Sequence, residues 1–439
     1  MSHTWDVVIV GAGSCGCIAA HEISRSGFEV LLLDMKPREK IGDKVCGDAL
    51  GTHHLKRIGL DLPPEVVVQD VSGVDTYSPD RKTVFRVGGG GLGAVILDRY
   101  KFGQFLLNRA IDSGAELSAS TRVLSPIIKS ERVIGVKVHG DEVYAKIVLD
   151  CSGVGGVLRN RMPDGTIDKE LKKSELVVAY REIREIKEDP PEYCEIYLDQ
   201  IKYPKGYAWI FPHGDRTVNV GVGMPSNLNI KPREYFYRYV MDIPILKDSK
   251  AVEKGSGVVP TRRPMDLMVW NGIMFGGDAG FTVNPLHAGG IGSSMLSGWL
   301  MAKAAIRALS IEDYSLRGLW SYTPEYMQMY GAKQAALDIF RIFLQNTSNE
   351  ELNYGMHHGI MKEDDVLKAS IDGDLHLSIT DKVKRVFIGL GKPNFLLELK
   401  RTADRMRDVK NLYLAYPETP EGYSSWLSRA KELQRIIYG

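Results

Sequence analysis

The sequence predicts an α/β fold with α+β elements, made of a Rossmann-type dinucleotide-binding domain, an antiparallel-sheet domain and a helical C-terminal region. Residues 5–34 contain an apolar strand, a glycine-rich turn, a helix and a second apolar strand. Between about residues 173 and 263, short alternating segments are separated by Pro, Gly and Asn, which is typical of antiparallel strands. From about residue 313 onward, apolar residues recur at helical spacing.

The opening segment has the pattern of a dinucleotide-binding βαβ unit. Its turn is Gly-x-Gly-x-x-Gly, formed by Gly11, Gly13 and Gly16, and its second strand ends in Asp34. Glycines let backbone amides approach a pyrophosphate at the start of the helix, and an acidic residue after the second strand can accept ribose hydroxyls. The unit therefore predicts binding of NAD or FAD.

Three later segments favour FAD. Residues 148–159 form a strand that enters a glycine-rich turn, residues 271–298 form a strand with a Gly-Asp pair before a helix, and a further helix begins at Arg99. Together they resemble the FAD-dependent group that includes p-hydroxybenzoate hydroxylase. The resemblance implies that Asp278 contacts ribityl or pyrophosphate oxygens, whereas Asp278 alone would be interpreted as a helix cap. No second unit of this kind follows, and the glycine run at 87–93 is predicted to be a flexible loop.

The segments assigned to FAD are separated along the chain, so the cofactor domain is predicted to be discontinuous. We assign residues 1–75, 94–165 and 268–330 to the FAD-binding domain. Residues 76–93 and 166–267 form the predicted substrate domain, and residues 331–439 form the helical C-terminal region.

Residues 203–215 place three aromatic side chains at alternating positions of one predicted strand. Tyr207, Trp209 and Phe211 share one face, while Ala208 and Ile210 point to the other. We call the three rings the aromatic comb. It would be roughly 13 Å long, from four steps of about 3.3 Å, which suits an extended apolar chain. The alternative is that the comb is sheet core, because aromatic residues are common in strands.

The comb also fills the pattern PxxYxWxFP of the geranylgeranyl reductase family, which the chain resembles nearly from end to end. The segment KVCGDALG at residues 44–51 is similar to the Cys-Gly-Glu/Asp segment of that family. Within the family, the chain is similar to the archaeal digeranylgeranylglycerophospholipid reductases, in the longer form with a helical extension. The resemblance implies an FAD-dependent reductase that saturates C=C bonds of geranylgeranyl chains in ether-lipid precursors, with the comb binding substrate.

The resemblance also implies the residues that contact FAD. Besides the three glycines of the first turn, they are Ser14, Cys15, Asp34, Cys46, Gly47, Ala49, Arg99, Val123, Asp278, Gly290 and Ile291. Cys15 departs from the Gly or Ala that is frequent at its position in the family. Cys46 is a candidate proton donor to the alkene, and the alternative is that its thiol only packs while its backbone amide holds a flavin oxygen.

Two other classes of function stay open at this point. One is a flavin monooxygenase, epoxidase or halogenase on the same fold, since halogenases carry a similar WxWxIP comb. The other is a prenyl-lipid carrier without catalytic activity. The electron donor of a reductase is also open, with NADPH, a ferredoxin or a deazaflavin as candidates.

Composition and charge restrict the partners and the location. There are 56 Lys and Arg against 55 Asp and Glu, which leaves no global field to attract nucleic acid. The five cysteines are scattered without a CxxC pair, which favours a reducing cytosol and no structural metal. No signal segment is recognised at the N-terminus, and no apolar stretch long enough for a bilayer is present, so a cytoplasmic location is expected.

One basic segment predicts contact with a membrane surface. Residues 382–410 contain nine Lys or Arg and three acidic residues, interleaved with apolar residues. This pattern is typical of a basic amphipathic surface helix, and equally of the solvated face of a helical bundle.

Overall fold

The computed structural model describes residues 3–88, 93–359 and 393–438 and confirms the mixed α/β fold. Its strands are β1 (Thr4–Val10), β2 (Val30–Leu33), β3 (Ala49–Gly51), β4 (Val67–Val71), β5 (Gly73–Tyr77), β6 (Val84–Gly88), β7 (Ala94–Leu97), β8 (Glu116–Ser118), β9 (Val123–Lys129), β10 (Arg132–Val138), β11 (Asp141–Asp150), β12 (Leu176–Glu185), β13 (Cys194–Leu198), β14 (Tyr207–Pro212), β15 (Thr217–Pro225), β16 (Lys250–Pro260), β17 (Val269–Trp270) and β18 (Ile273–Phe275). Its α-helices are α1 (Ser14–Arg25), α2 (Thr52–Ile58), α3 (Arg99–Asp112), α4 (Pro232–Tyr235), α5 (Ile291–Ser310), α6 (Leu316–Leu319), α7 (Tyr322–Tyr326), α8 (Ala332–Gln345), α9 (Asn349–His357), α10 (Pro393–Leu414) and α11 (Tyr423–Tyr438).

A parallel sheet carries the predicted dinucleotide unit. Its central order is β8, β2, β1, β11 and β18, all paired in parallel. Every residue of β2 is buried, as expected for a strand covered on both faces. Helix α1 packs against α5 so closely that a Cβ on Gly298 would lie 2.2 Å from the Cys15 carbonyl oxygen. These strands come from three separate stretches of the chain, while the domain boundaries stay a prediction.

A seven-stranded sheet carries the aromatic comb. Its order is β16, β12, β15, β14, β13, β5 and β6, so the comb strand β14 is central, as predicted. The sheet is not wholly antiparallel, because β13 pairs with β5 in parallel. Strands β5 and β6 enter this sheet from the N-terminal part of the chain, and that long connection permits a parallel pair. The predicted glycine-rich loop lies largely outside the described residues, since β6 ends at Gly88.

The C-terminal region is helical in its described part, as predicted. The apolar side chains of α10 do not form a free membrane-facing surface, because Phe395, Leu399 and Met406 are buried in the main core. Residues 382–392 of the basic segment lie outside the described residues. In the part of the chain that is described, no helix combines the length and the hydropathy needed to cross a bilayer.

Candidate active site

The glycine-rich turn between β1 and α1 presents its backbone amides beyond the carboxyl end of β1. Gly11 has φ +105°, and a Cβ there would lie 2.4 Å from the Cys151 carbonyl oxygen. A Cβ on Gly16 would lie 1.9 Å from the Gly11 carbonyl oxygen. Gly13 caps α1 in extended conformation and has no atom within 4 Å of its missing Cβ. The close turn therefore requires two of its glycines, and the third leaves space for a ligand.

Polar side chains surround this turn as the sequence predicts. Asp34 accepts hydrogen bonds from the amides of Ala12 and Lys36, both at 2.8 Å. Arg99 donates through Nη2 to Ser14 Oγ at 3.3 Å, while its Nε and Nη1 are buried and have no hydrogen-bond partner among the described residues. Two unpaired guanidinium nitrogens beside a helix N-terminus leave room for an anion there. The geometry fits the pyrophosphate of a dinucleotide.

Two of the predicted cofactor residues point their side chains into the protein. Cys15 Sγ lies 3.3 Å from Cys151 Sγ, and both side chains are buried. Val123 is buried at the start of β9, just after Thr121, whose amide donates to the Asp34 carbonyl oxygen at 2.8 Å. Any contact of Cys15 with a cofactor therefore falls to its backbone, which explains why the departure from Gly or Ala is tolerated here.

The Gly-Asp pair lies at the end of β18. Gly277 has φ +58°, and Asp278 is almost buried and forms an ion pair with Lys44, with Nζ and Oδ2 3.2 Å apart. Asp278 does not cap α5, since the capping residue is Gly290 and Ile291 begins the helix. Because α5 has no side-chain cap, its first amide groups remain available to a ligand.

The segment at residues 44–48, which we call the Cys46 loop, runs from the Asp278 side of the site to the aromatic comb. Cys46 Sγ accepts a hydrogen bond from the Asp48 amide at 3.3 Å. Burial raises the pKa of the Cys46 thiol, and the charge of Asp48 raises it further, while Arg99 and Lys44 act in the opposite direction. The thiol therefore keeps its proton at neutral pH. Ala49 follows in β3 and is paired with Ile96 of β7.

The aromatic comb has the geometry that the alternation predicts. Ring centroids are 6.3 Å apart for Tyr207 and Trp209, and 6.4 Å apart for Trp209 and Phe211. Ala208 and Ile210 are fully buried on the other face, in the core of the seven-stranded sheet.

Gly221 of β15 makes room for the central ring of the comb. It is paired with Trp209, and a Cβ on Gly221 would lie 2.3 Å from Trp209 Cζ2. The six-membered ring of the indole therefore occupies the space beside Gly221, and any larger residue at position 221 would displace it.

The structure brings the comb and the Cys46 loop into direct contact. A Cβ on Gly47 would lie 3.2 Å from Phe211 Cε2. At the other end of the comb, Tyr207 Oη donates to the His287 carbonyl oxygen at 2.7 Å. The charge of Arg99, on the cofactor side of the site, lowers the pKa of the Cys46 thiol. The predicted substrate and cofactor residues thus border one continuous site.

Asn219 holds this contact together, and the sequence analysis missed it. The side chain is fully buried on β15. Its Nδ2 donates to the Cys46 carbonyl oxygen and to Asp48 Oδ2, both at 2.8 Å, and its Oδ1 accepts from Trp209 Nε1 at 3.1 Å. An asparagine within an otherwise apolar strand was the available signal, because a buried amide needs several partners.

Arg181 of β12 makes a similar contact, with Nε 3.3 Å from the Cys46 carbonyl oxygen. The described residues contain no group of His, Cys, Asp and Glu side chains arranged to hold a metal ion.

Comparison with known proteins gives a consistent result. A family model described as geranylgeranyl reductase catalytic domain matches residues 175–259, and one described as glucose inhibited division protein A matches residues 6–153. The digeranylgeranylglycerophospholipid reductase of Sulfolobus acidocaldarius is 42% identical over 434 residues, covering 96% of this chain and 95% of that protein. The chain belongs to the digeranylgeranylglycerophospholipid reductase family. The family member from Methanosarcina acetivorans is 33% identical, covering 73% of this chain and 79% of that protein.

Solved structures show how widely the fold of this reductase family is shared. A geranylgeranyl bacteriochlorophyll reductase-like protein from Thermoplasma acidophilum has a TM-score of 0.78 at 24% identity, covering 91% of this chain and 99% of that one. The flavin-dependent brominase Bmp2 has a TM-score of 0.64 at 18% identity, covering 99% and 100%. At these identities the likeness shows the fold alone.

Proposed function

We propose that the protein is an FAD-dependent reductase that saturates C=C bonds of geranylgeranyl chains in ether-lipid precursors. The observation that carries the proposal is the contact between the aromatic comb and the Cys46 loop. Three aromatic rings on one face of the sheet lie against the loop that carries a protonated thiol, next to a turn suited to a dinucleotide. The family membership supports the same reaction.

FAD fits the residues at the parallel sheet. The backbone amides of the first turn, Ser14 Oγ and the two unpaired nitrogens of Arg99 would hold the pyrophosphate. Asp34 has lone pairs left for ribose hydroxyls, and Asp278 would face the ribityl chain. Bound and reduced, FAD supplies a hydride to one carbon of the alkene.

The aromatic comb would orient the prenyl chain and exclude water from it. Its three rings lie on one face of the sheet at spacings of 6.3 and 6.4 Å, so an extended chain running along β14 would meet them in succession. As the proton adds to the less substituted carbon of the alkene, positive charge develops on the more substituted carbon, and the hydride neutralises it there. The negative π-faces of Trp209 and Tyr207 stabilise such charge.

Cys46 would supply the proton to the second carbon. Its raised pKa keeps the proton on sulfur at neutral pH, but also makes the thiol a weak acid. We therefore propose that proton and hydride transfer are concerted, so that no free carbocation forms. The thiolate that results lies beside Asp48, which favours its immediate reprotonation from water.

An anaerobic mixing experiment tests this function against its two alternatives. The bound flavin is reduced with dithionite, and an unsaturated geranylgeranyl lipid is added without oxygen. A reductase reoxidises its flavin and adds two hydrogens to the lipid. A monooxygenase or halogenase stays reduced until oxygen enters, and a carrier binds the lipid without any change in the flavin spectrum. Either of the last two results would overturn the proposal.

The reaction needs an external electron donor, and we propose that it is a small reductant or reduced protein that reaches the flavin from solution. We also propose peripheral membrane contact through the exposed basic residues of α10, such as Lys400, Arg401 and Arg407. Because the apolar side of α10 is buried, this contact would be electrostatic.

A further inference from the structure

Five basic side chains lie near the Tyr207 end of the aromatic comb. They come from helix α2, from the loop before α5 and from α8, and we call them the basic cluster: His53, His54, Arg57, His287 and Lys333. The rings of His53 and His54 are 4.0 Å apart. The comb reaches the cluster directly, through the hydrogen bond from Tyr207 to the His287 backbone.

The three imidazoles of the cluster differ in exposure but share a lowered pKa. His53 and His287 are exposed, and burial lowers the pKa of each to about 4. His54 is partly buried, and burial lowers its pKa to about 2. At neutral pH the three imidazoles are therefore uncharged and can each donate one N–H.

Two of these imidazoles have donor or acceptor atoms ready for a ligand. His54 packs over the first turn of α5, where a Cβ on Gly292 would lie 2.2 Å from its Cγ. Its Nδ1 is buried and has no hydrogen-bond partner within the described chain. His287 Nδ1 accepts from the Gly289 amide at 3.1 Å, so its proton is on Nε2.

The charge of the cluster is positive and local. The charges that act on His53 and His54 come from Lys333, Arg57 and neighbouring imidazoles. Arg57 is exposed on α2, and none of the described residues forms an ion pair or hydrogen bond with its side chain. Because the chain as a whole has a net charge of only +1, the positive charge at this place comes from Arg57 and Lys333 and not from a general excess of basic residues.

We infer that the basic cluster binds the phosphate group of an anionic prenyl lipid, whose apolar chain then lies along the aromatic comb. The inference rests on the proposed function, because it takes the comb as the site of the prenyl chain. A phosphate matches several N–H donors and a guanidinium better than a carbonyl or hydroxyl group would. The cluster would then set the position of the chain, and so which double bond lies against the Cys46 loop.

Calorimetric titration of the oxidised, FAD-loaded protein tests the inference. The probes are geranylgeranyl phosphate, uncharged geranylgeraniol and inorganic phosphate. The variants are Arg57→Gln and His53→Gln, both at exposed positions, and Lys56→Gln is the matched control on the same helix. We expect wild type to bind geranylgeranyl phosphate at least about tenfold more tightly than geranylgeraniol. Arg57→Gln should lose about tenfold for the phosphate and leave the alcohol unchanged.

Several results would overturn this inference while leaving the proposed reaction intact. One is an Arg57→Gln variant that binds the phosphate like Lys56→Gln, while wild type still reduces geranylgeranyl chains. Another is that wild type binds geranylgeranyl phosphate and geranylgeraniol equally tightly, while inorganic phosphate binds in a way that depends on Arg57. That result would assign the cluster to a free anion. A third is a shifted flavin midpoint potential in Arg57→Gln with unchanged lipid affinities, which would assign the cluster to the cofactor. If the proposed function itself fails, wild type reduces neither lipid.

Discussion

Replacing Asn219 by alanine should separate the aromatic comb from the Cys46 loop. The asparagine side chain makes three hydrogen bonds in a fully buried position, to Trp209, to the Cys46 carbonyl and to Asp48. Alanine removes all three hydrogen bonds at once. The indole N–H and the Asp48 carboxylate would then be buried without those bonds.

The loss of stability expected for Asn219→Ala follows from the kinds of hydrogen bond that are lost. Each neutral hydrogen bond contributes about 0.5–1.5 kcal/mol and the bond to the carboxylate about 1.5–3 kcal/mol. The free energy of unfolding should therefore fall by about 2.5–6 kcal/mol. Trp209→Phe removes one hydrogen bond and part of a buried ring but leaves the bond from Asn219 to Asp48 in place, so it should cost less than Asn219→Ala.

Urea titration and turnover of a geranylgeranyl lipid measure the two effects on the same preparations. Asn219→Ala should keep its FAD, because the glycine turn and Arg99 are not touched, and should lose most of its turnover. The surface variant Asn227→Ala is the control and should change stability by less than about 0.5 kcal/mol. If Asn219→Ala unfolds and turns over like Asn227→Ala, the comb and the loop are not coupled as described.

Four further predictions follow from the site. Arg99→Ala and Asp278→Ala should each retain less FAD after gel filtration, through lost charge-assisted hydrogen bonds, and full flavin content in both would refute the cofactor placement. Cys46→Ala should keep FAD and its reduction by dithionite but slow alkene reduction strongly, with Cys46→Ser partly restoring it; wild-type turnover in the alanine variant would leave the thiol a packing role. Burial lowers the pKa of His54 to about 2, so the unfolded chain takes up a proton below about pH 6.5 that the folded chain does not. Stability is therefore full above that pH and falls toward pH 5, and melting curves should show a flatter dependence for His54→Asn than for the exposed control His139→Asn. Sedimentation with anionic vesicles should show binding that decreases with salt, and binding that ignores salt would exclude an electrostatic contact.

The parts of the fold that depend on local sequence could be predicted from it. The dinucleotide turn at Gly11 and the comb strand β14 are each encoded within a few residues, as a glycine spacing and an alternation. The start of α3 at Arg99 was predictable for the same reason. Such patterns involve residues that are close together in the sequence, so they can be recognised without knowledge of the tertiary structure.

The contacts that complete the site could not be predicted, because they join distant parts of the chain. Asn219 meets Cys46 across 173 residues, and the parallel pairing of β5 with β13 requires the chain to return after a long excursion. Nothing in the sequence around His54 indicates that its ring packs on Gly292, which is 238 residues further along the chain. These contacts are decided by how the two large sheets lie against each other.

The orientation of side chains was a further limit. The resemblance implied a cofactor contact at Cys15, and because its sulfur faces Cys151 in the interior, that contact stays a prediction for the backbone alone. The basic segment left two alternatives open, a membrane-surface helix and the solvated face of a bundle, and the burial of Phe395 and Leu399 fits the second. In both cases the pattern indicated the element, and the burial of the side chain depended on its neighbours.

The central claim is that the aromatic comb holds a prenyl chain for reduction, and a single anaerobic turnover of wild type and Trp209→Ala tests it most directly. The reduced enzymes are mixed with a geranylgeranyl lipid, and the lipid is analysed by mass spectrometry together with the flavin content of each protein. We predict that the wild-type product gains two hydrogens for each flavin oxidised, while Trp209→Ala retains its FAD and yields little product. An unchanged lipid with wild type, or equal product from both enzymes, would contradict the claim.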